Sequence, residues 1–345
     1  PEGGGQPCDT GALGTALVTD VQEHGGVITH TVSAALPVGQ TVEGRIDWAR
    51  RRDHMEQHTG EHILSGTLHR LFGAENVGFH IGSPAVRMDM SVPLTAGQLA
   101  EAEAQANAVI RADAPVRCWY PAPEDLAKLT YRSKKEIDGA VRLVDAGGAD
   151  LCACCGTHVS TTGQVGAIKI LSAQSYKGGT RLAVVCGERA HQSIAAAWQD
   201  AAAVGTLLSS APGRLLPAVQ NLQTAEAALK QRLAAMQNAL SEALAQAAVP
   251  GQPAVLHCDG ADGDGLRRIC LAVSARTNAL TAVLASGGQG LAYALCLPGG
   301  DVRPVCKALN EAFGGRGGGK PGFCQGSLAC TDFADVQNFL VNYHE

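Results

Sequence analysis

The 345-residue sequence predicts an α+β protein with more than one domain. Short β-forming runs separated by Gly- and Pro-containing turns fill the amino-terminal part, helical segments follow, and strands and helices alternate near the carboxyl end. Changes in composition divide the chain into four predicted parts. They are a small Gly-rich β subdomain (1–45), an α+β domain with a metal site (46–200), a helical linker (201–250) and an α/β domain (251–345).

The first two parts are predicted as short strands around two long helices. Apolar residues at helical spacing predict a helix from Trp48 to Phe72 that ends at Gly73, and an Ala- and Glu-rich helix follows from Ala96 to Arg111. Alternating or β-branched runs predict strands at 16–18, 27–29, 41–42, 85–92, 116–120, 141–144 and 165–171.

The linker carries an apolar seam at helical spacing. Its members are Leu222, Leu229, Leu233, Met236, Leu240 and Leu244, and the helix should stop near Pro250. Two interpretations stay open. The helix packs on its own domain, or residues 215–248 form a homodimer through a short coiled coil.

The last part is predicted as an α/β unit. Strands are expected at 254–257, 268–273, 280–285 and 291–297, with helices at 302–313 and 332–343. A Gly-rich loop is expected between the two helices.

Composition excludes several classes of protein. The net charge of −5 excludes a uniformly basic nucleic-acid binder, so a polyanion site has to be a local patch. Neither an 18-residue apolar run nor a signal-peptide pattern occurs, which predicts a protein without a membrane span. Cysteines crowded at 152–155 suit a metal site better than disulfides, which predicts a reducing, cytoplasmic location.

Because no strand precedes Pro1, part of the first subdomain is expected to be missing.

Two distant segments carry residues with metal-ligand spacing. His58 and His62 are four apart on the predicted helix, so both imidazoles leave one face. Nearly a hundred residues later, Cys154 and His158 are also four apart. Nitrogen and sulfur ligands together suit Zn²⁺, and we expect one ion per chain. Cys152 and Cys155 remain alternatives to Cys154, and a purely structural site remains an alternative to a catalytic one.

The helical segment does not match a metalloprotease. Such enzymes use His-Glu-x-x-His, with the general base directly after the first histidine. Thr59 holds that place here, and Glu61 lies two residues further on.

These motifs resemble those of the AlaX-type editing proteins and of the related editing domain of alanyl-tRNA synthetase. The resemblance is carried by Pro-Glu-Gly-Gly-Gly-Gln at 1–6, by Gln-His-Thr-Gly-Glu-His at 57–62 and by Cys-Cys-Gly-Thr-His at 154–158. The family pattern HxxxH…CxxxH selects Cys154 as a ligand beside His58, His62 and His158. Cys155 replaces a family glycine, so an exchange of ligands stays open.

The resemblance also implies a reaction and a partner. It implies zinc-dependent hydrolysis of the ester that joins serine or glycine wrongly to alanine tRNA, with that mischarged tRNA as partner. The run Gly-Gly-Arg-Gly-Gly-Gly-Lys at 314–320 resembles the Gly-rich loop of the DHH-associated domain, which implies RNA binding by 251–345.

Candidate substrate contacts lie near the metal motifs. Backbone N–H groups of Gly4 and Gly5 and the side chain of Gln6 are expected near the ester, the alternative being an ordinary turn. Thr59 and His80 are further candidates, although His80 is equally consistent with a buried structural histidine.

Candidate tRNA contacts are local basic runs, which hold phosphates in many complexes. They are Arg50, Arg51 and Arg52, then Lys134 and Lys135 next to Arg132, and finally Arg316 and Lys320. A solvated charged face is the alternative for each run.

Two other functions compete with the deacylase. One is a non-catalytic tRNA-binding module with a structural zinc, and the other is a carboxyl-terminal fragment of a full alanyl-tRNA synthetase. A phosphoesterase is disfavoured because no Asp-His-His triplet occurs.

Overall fold

The computed structural model describes residues 1–133, 139–288 and 290–343. The chain divides into two compact units, Pro1–Val204 and Gly205–Glu345. Both units combine helices with sheets, so the α+β class predicted from the sequence is confirmed.

The first unit holds the strands β1 to β11 and the helices α1 to α4. The strands are β1 (Gly11–Leu13), β2 (Ala16–His24), β3 (Val27–Val32), β4 (Gly44–Ile46), β5 (Asn76–Ile81), β6 (Val86–Met90), β7 (Val116–Trp119), β8 (Leu143–Ala146), β9 (Leu151–Ala153), β10 (Ile168–Tyr176) and β11 (Gly179–Cys186). The helices are α1 (Trp48–Phe72), α2 (Ala96–Arg111), α3 (Pro123–Leu126) and α4 (Gly187–Leu207), and the boundary between the units falls within α4, after Val204.

Three antiparallel sheets organise the described residues of the first unit. Their strand orders are β3-β2-β1-β4, β10-β11-β6-β5 and β7-β8-β9. Apolar side chains of α1 and α2 share one core with those of β5, β6 and β11. This packing places α1 in the middle of the unit.

Helix α1 has clear ends and an unusual interior. The carboxylate of Asp47 accepts a hydrogen bond from the Arg50 amide at 3.1 Å, and Gly73 ends the helix with a left-handed φ of 63°. Between these ends, residues 56–68 are all buried, although many are polar. Buried polar side chains need partners, so the helix interior indicates a site rather than a simple core.

Glycines let α1 approach its neighbours closely. A Cβ at Gly60 would lie 2.3 Å from Sγ of Cys186, and one at Gly66 would lie 2.2 Å from the carbonyl oxygen of Ala149. These contacts bring the helix against β11 and against the turn that precedes β9.

The second unit holds one mixed sheet between helices. Its elements are α5 (Leu215–Ala247), β12 (Ala254–His257), α6 (Gly263–Thr277), β13 (Thr281–Gly287), β14 (Gly290–Cys296), α7 (Arg303–Ala312), β15 (Arg316–Lys320), β16 (Phe323–Leu328) and α8 (Phe333–Val341). The strand order is β12-β13-β14-β16-β15, with β12 and β13 parallel and the other pairs antiparallel. Helices α7 and α8 share a core with one face of the sheet, and α6 shares one with the other.

Two local predictions in this unit are wrong. The apolar run 268–273, expected as a strand, lies inside α6, where Leu266, Ile269 and Val273 form one buried face. The Gly-rich stretch expected as a loop contains the edge strand β15. A Cβ at Gly317 would lie 2.3 Å from the Tyr293 hydroxyl, so the glycine allows β15 to pack there.

The apolar seam of the linker lies on α5, which confirms the predicted helix. At its carboxyl end, Leu244 packs against the core that contains α6. Leu222, Leu229 and Leu233 are more than half exposed in the chain, at 58%, 63% and 51%. The seam is therefore packed at one end and exposed along the rest.

The described residues bear on the predictions about membrane spans and about buried cysteines. None of their helices is both long enough and apolar enough to cross a membrane. The cysteines predicted as buried apolar residues are buried, namely Cys186, Cys258, Cys270, Cys296 and Cys306.

Candidate metal centre

The structure brings the four predicted ligands together. His58 and His62 come from successive turns of α1, and Cys154 and His158 come from the turn after β9. Their ligand atoms all lie within 4.8 Å of one another. The thiol sulfur of Cys154 is 3.4 Å from Nε2 of His58 and 3.6 Å from Nε2 of His158.

Each imidazole is oriented by a side-chain oxygen at its other nitrogen. The Nδ1 to oxygen distances are 2.8 Å for His58 to Gln6, 2.8 Å for His62 to Asp150 and 3.2 Å for His158 to Thr59. The Gln6 carbonyl and the Asp150 carboxylate can only accept, so Nδ1 of His58 and Nδ1 of His62 carry the proton. Their Nε2 lone pairs are then left for a metal ion. The Thr59 hydroxyl can donate to Nδ1 of His158 or accept from it.

The orientation of the Gln6 amide is fixed by Thr157. The Thr157 amide donates to Oε1 of Gln6 at 3.2 Å, and Nε2 of Gln6 donates to the Thr157 hydroxyl at 2.7 Å. The oxygen of Gln6 therefore faces His58, which ties the Gly-rich loop to the metal motif.

The turn that carries Cys154 is held tightly against His58. A Cβ at Gly156 would lie 2.2 Å from Cε1 of His58, so only glycine fits without movement. The Arg142 guanidinium donates to the carbonyls of Cys154 at 2.8 Å and of Gly156 at 2.9 Å. These contacts fix the distance between thiol and imidazole.

The donor set fits a tetrahedral zinc ion. Typical Zn–S and Zn–N bonds place sulfur and nitrogen ligands about 3.6 Å apart, close to both distances from Cys154 to the histidine rings. Nε2 of His62 is buried and makes no hydrogen bond to any residue that the structure describes. Such a nitrogen needs a partner, and a metal ion would supply it.

The ionisable groups in and near the cluster also favour binding of a cation. Burial raises the pKa of the Cys154 thiol, but the neighbouring His62 ring and the Gly156 amide lower it further, below the usual value. Burial likewise opposes ionisation of Asp150, yet hydrogen bonds from His62 and Arg132 bring its pKa to about 2. Asp150 is therefore a carboxylate, and the pKa of the Cys154 thiol is shifted in the direction of the thiolate.

The other two cysteines of the motif are not members of the four-residue cluster. Cys152 is buried and groups with His62 and Asp150, not with the four-residue cluster. Cys155 is exposed and belongs to neither group. The geometry thus favours Cys154 over both alternatives.

The predicted substrate residues have different surroundings. Gly5 packs against β5, where a Cβ would lie 2.6 Å from the carbonyl oxygen of Phe79, whereas a Cβ at Gly4 would meet no atom within 4 Å. Thr59 has no exposed surface, and its hydroxyl also accepts from the Val159 amide at 3.2 Å. These contacts join Thr59 to the metal motif, and its expected contact with substrate stays a prediction.

His80 is not among the residues that the structure brings together. The Phe79 ring lies on His58, with 5.1 Å between ring centroids. Neighbouring residues of a strand point to opposite faces, so the exposed His80 points away from that contact. The exposure of His80 contradicts the alternative of a buried structural histidine, and its contact with substrate stays a prediction.

The basic run on α1 is largely engaged within the chain. Arg51 forms an ion pair with Asp9, Arg52 pairs with Glu56 at 2.8 Å, and Nε of Arg50 donates to the Cys8 carbonyl at 3.3 Å. These three side chains are therefore not simply a solvated face, and binding of a phosphate would have to compete with the partners they already have.

The other basic runs differ in how far the structure describes them. Lys134 and Lys135 lie outside the described residues. Arg132 forms an ion pair with Asp150 at 2.8 Å, and its place in a phosphate-binding run stays a prediction. Arg316 and Lys320 are exposed at the ends of β15.

Sequence reasoning missed Asp150, Arg132 and Arg142 as parts of this centre. Each is a single charged residue without a spacing pattern. Asp150, four residues before Cys154, carried the one available signal, a carboxylate next to a metal motif.

Comparison with known proteins places the chain in a family. Residues 141–183, which include Cys154 and His158, match the family described as "Threonyl and Alanyl tRNA synthetase second additional domain". The alanyl-tRNA editing protein Aarsd1-B of Xenopus laevis is 30% identical over 335 residues, which cover 94% of this chain and 81% of that protein. The chain belongs to the alanyl-tRNA editing protein family. The editing protein Aarsd1 of Danio rerio is 29% identical, covering 99% of this chain and 85% of the relative.

This editing-family chain also resembles part of a larger enzyme. The alanine–tRNA ligase of Pyrobaculum neutrophilum is 33% identical over 348 residues, covering 94% of this chain but only 38% of the ligase. Among solved structures, the C-Ala domain of Aquifex aeolicus alanyl-tRNA synthetase matches 26% of the chain with a TM-score of 0.24 and 16% identity. That score is too low to establish a shared fold.

Proposed function

We propose that this chain is a trans-acting deacylase that hydrolyses the ester of serine, and of glycine, wrongly attached to alanine tRNA. One observation carries the proposal: in a chain whose relatives are named alanyl-tRNA editing proteins, three imidazoles and one thiol converge within 4.8 Å. We propose that His58, His62, Cys154 and His158 hold one Zn²⁺. The mischarged tRNA is the partner, and the reducing cytoplasm is the expected location.

Hydrolysis needs only modest catalysis because an aminoacyl ester is already activated. Bound Zn²⁺ supplies Lewis-acid polarisation of an oxygen or lowers the pKa of a water molecule. No described residue accepts a hydrogen bond from the amide N–H of Gly4 or Gly5. We assign these two donors to the ester carbonyl, where they would stabilise negative charge as the bond to water forms.

Selectivity requires a group that distinguishes serine from alanine. A site that pairs with the serine hydroxyl leaves a polar group unsatisfied when alanine binds, and this can give large discrimination. Gln6 is buried beside His58 and uses one amide N–H on Thr157. We assign its second N–H to the serine hydroxyl.

The proposal is tested with charged alanine tRNA as substrate. Release of serine from Ser-tRNA(Ala), much faster than release of alanine from Ala-tRNA(Ala), is expected, with Gly-tRNA(Ala) as a third arm. A protein that binds all three and hydrolyses none would be the non-catalytic binding module instead. Hydrolysis by the isolated chain would show that the rest of a ligase is not needed.

We propose that the second unit binds the tRNA through β15, in keeping with a DHH-associated domain. Replacing Arg316 and Lys320 together by Gln should weaken tRNA binding and reduce the slope of log affinity against log salt by about 1.4–1.8, because each phosphate contact contributes about 0.7–0.9. Titration at several salt concentrations measures this. The control variant Arg111→Gln/Lys128→Gln removes the same charge from the first unit, and an equal loss there would contradict the assignment.

We further propose that the exposed part of the α5 seam joins two copies of the chain. Replacing Leu222 and Leu229 by Glu should convert a dimer into a monomer, because charge would be buried in an apolar contact. Sedimentation equilibrium gives the mass. Gln223→Glu, also exposed on α5, should leave the dimer intact, and a monomeric unaltered protein would refute the proposal.

A further inference from the structure

We propose that Asp150, fixed in place by Arg132, is a positioning residue of the metal centre that strengthens the hold of His62 on the ion. This inference rests on the metal centre assigned under Proposed function. It concerns two residues that touch neither the substrate nor the metal in that assignment.

Asp150 is buried and fully engaged. Its side chain is 2% exposed, and its Oδ2 lies 2.8 Å from Nδ1 of His62. On the other side, Arg132 binds both carboxylate oxygens, with Nε 2.8 Å from Oδ1 and Nη2 3.0 Å from Oδ2. A buried carboxylate is costly unless it is paired, and this two-pronged contact supplies the pairing and the orientation.

Arg132 is itself anchored by side chain and backbone. Its Nη2 also donates to the Ser65 hydroxyl on α1 at 2.9 Å. Its backbone N–H donates to the Leu151 carbonyl, and its carbonyl accepts from the Ala153 amide, both at 2.8 Å. Arg132 therefore holds the strand that leads into Cys154 as well as the carboxylate that orients His62.

The three histidines are not supported equally. Gln6 and Thr59 offer neutral oxygens to His58 and His158, whereas Asp150 offers a carboxylate to His62. A carboxylate acceptor makes the opposite ring nitrogen more basic and fixes the ring orientation, and both effects favour metal binding. His62 is thus the histidine whose hold on the ion depends most on its hydrogen-bond partner.

The test is the zinc dissociation constant, measured by competition with a chromophoric chelator. Asp150→Asn keeps the shape of the side chain but removes its charge, and we expect the dissociation constant to rise about 10- to 100-fold. Arg132→Lys keeps a positive charge but loses the two-pronged contact, and a smaller rise in the same direction is expected. If Asp150→Asn does not fold, which circular dichroism of the metal-free protein reports, Arg132→Lys decides the question.

Asp89→Asn is the matched control. Asp89 forms the same two-pronged contact with Arg181, at 2.6 and 2.8 Å, in the same unit. The Asp89→Asn variant should leave the zinc dissociation constant unchanged, because loss of an ion pair elsewhere in the unit lowers stability without weakening the metal site.

The outcomes separate this inference from the proposed function. Unaltered zinc affinity in both Asp150→Asn and Arg132→Lys would overturn the positioning role and leave the metal centre intact. An equal loss in Asp89→Asn would also overturn it. Absence of zinc binding by the unaltered chain would overturn the metal centre and this inference together.

Discussion

Replacing His62 by Ala should abolish the release of serine from Ser-tRNA(Ala). The imidazole is buried, and its ligand atom lies within 4.8 Å of those of His58, Cys154 and His158. Loss of an orienting group alone costs about 10- to 100-fold in metal affinity or activity, so loss of a ligand should lower the rate more than about 100-fold. Single-turnover hydrolysis with radiolabelled serine measures the effect.

Removal of the metal by a chelator should also stop the release of serine from Ser-tRNA(Ala). Metal-free unaltered protein should lose serine release to the same extent and regain it when Zn²⁺ is added, whereas His62→Ala should not respond. His69→Ala is the control, because His69 lies on the same helix but is 45% exposed and pairs with Glu75. Rapid hydrolysis by metal-free His62→Ala protein would rule out a catalytic role for the site.

Gly156→Ala should damage the centre without changing any ligand. The added methyl group would lie 2.2 Å from Cε1 of His58, so either the ring or the turn that carries Cys154 has to move. Overpacking of this kind costs about 1–3 kcal/mol, which corresponds to about a 5- to 150-fold loss of zinc affinity if the ring absorbs it. Serine release at limiting zinc should fall in parallel.

Gly97→Ala is the matched control for this substitution. A Cβ at Gly97, in the first turn of α2, would meet no atom within 4 Å. Alanine is also the better helix former, so the melting temperature should stay the same or rise slightly. Unchanged zinc affinity in Gly156→Ala would show that the close contact with His58 does not define the site.

Local signals in the sequence predicted the helices of the first unit well. Helix α1 spans Trp48–Phe72 and α2 spans Ala96–Arg111, as expected, because a cap residue or a terminal glycine marks their ends. The spacing of four placed His58 and His62 on one face of the predicted helix, and it placed Cys154 and His158 together in a short turn. That the two pairs meet depends on long-range packing; the complementary ligand types indicated it, and the family resemblance selected Cys154 among the cysteines.

The wrong predictions have identifiable physical causes. The run 268–273 has strand-like composition, but Asp262 caps a helix and the buried positions of α6 follow its period. The Gly-rich stretch pairs with β16 as a strand, and Gly317 and Gly319 lie too close to neighbouring atoms to accept a side chain, whereas Gly318 faces open space. Asp150 and Arg132 were missed because a hydrogen-bond partner of a metal ligand needs only one suitable side chain and therefore leaves no sequence pattern.

The most direct test of the central claim is the zinc content of the protein. Elemental analysis of the purified full chain should give one zinc per chain, and Cys154→Ser should lower this content while Cys152→Ser and Cys155→Ser retain it. Such a result would identify the thiolate among the three cysteines. A chain that contains no zinc after exposure to the metal, or that keeps it equally in Cys154→Ser, would contradict the account.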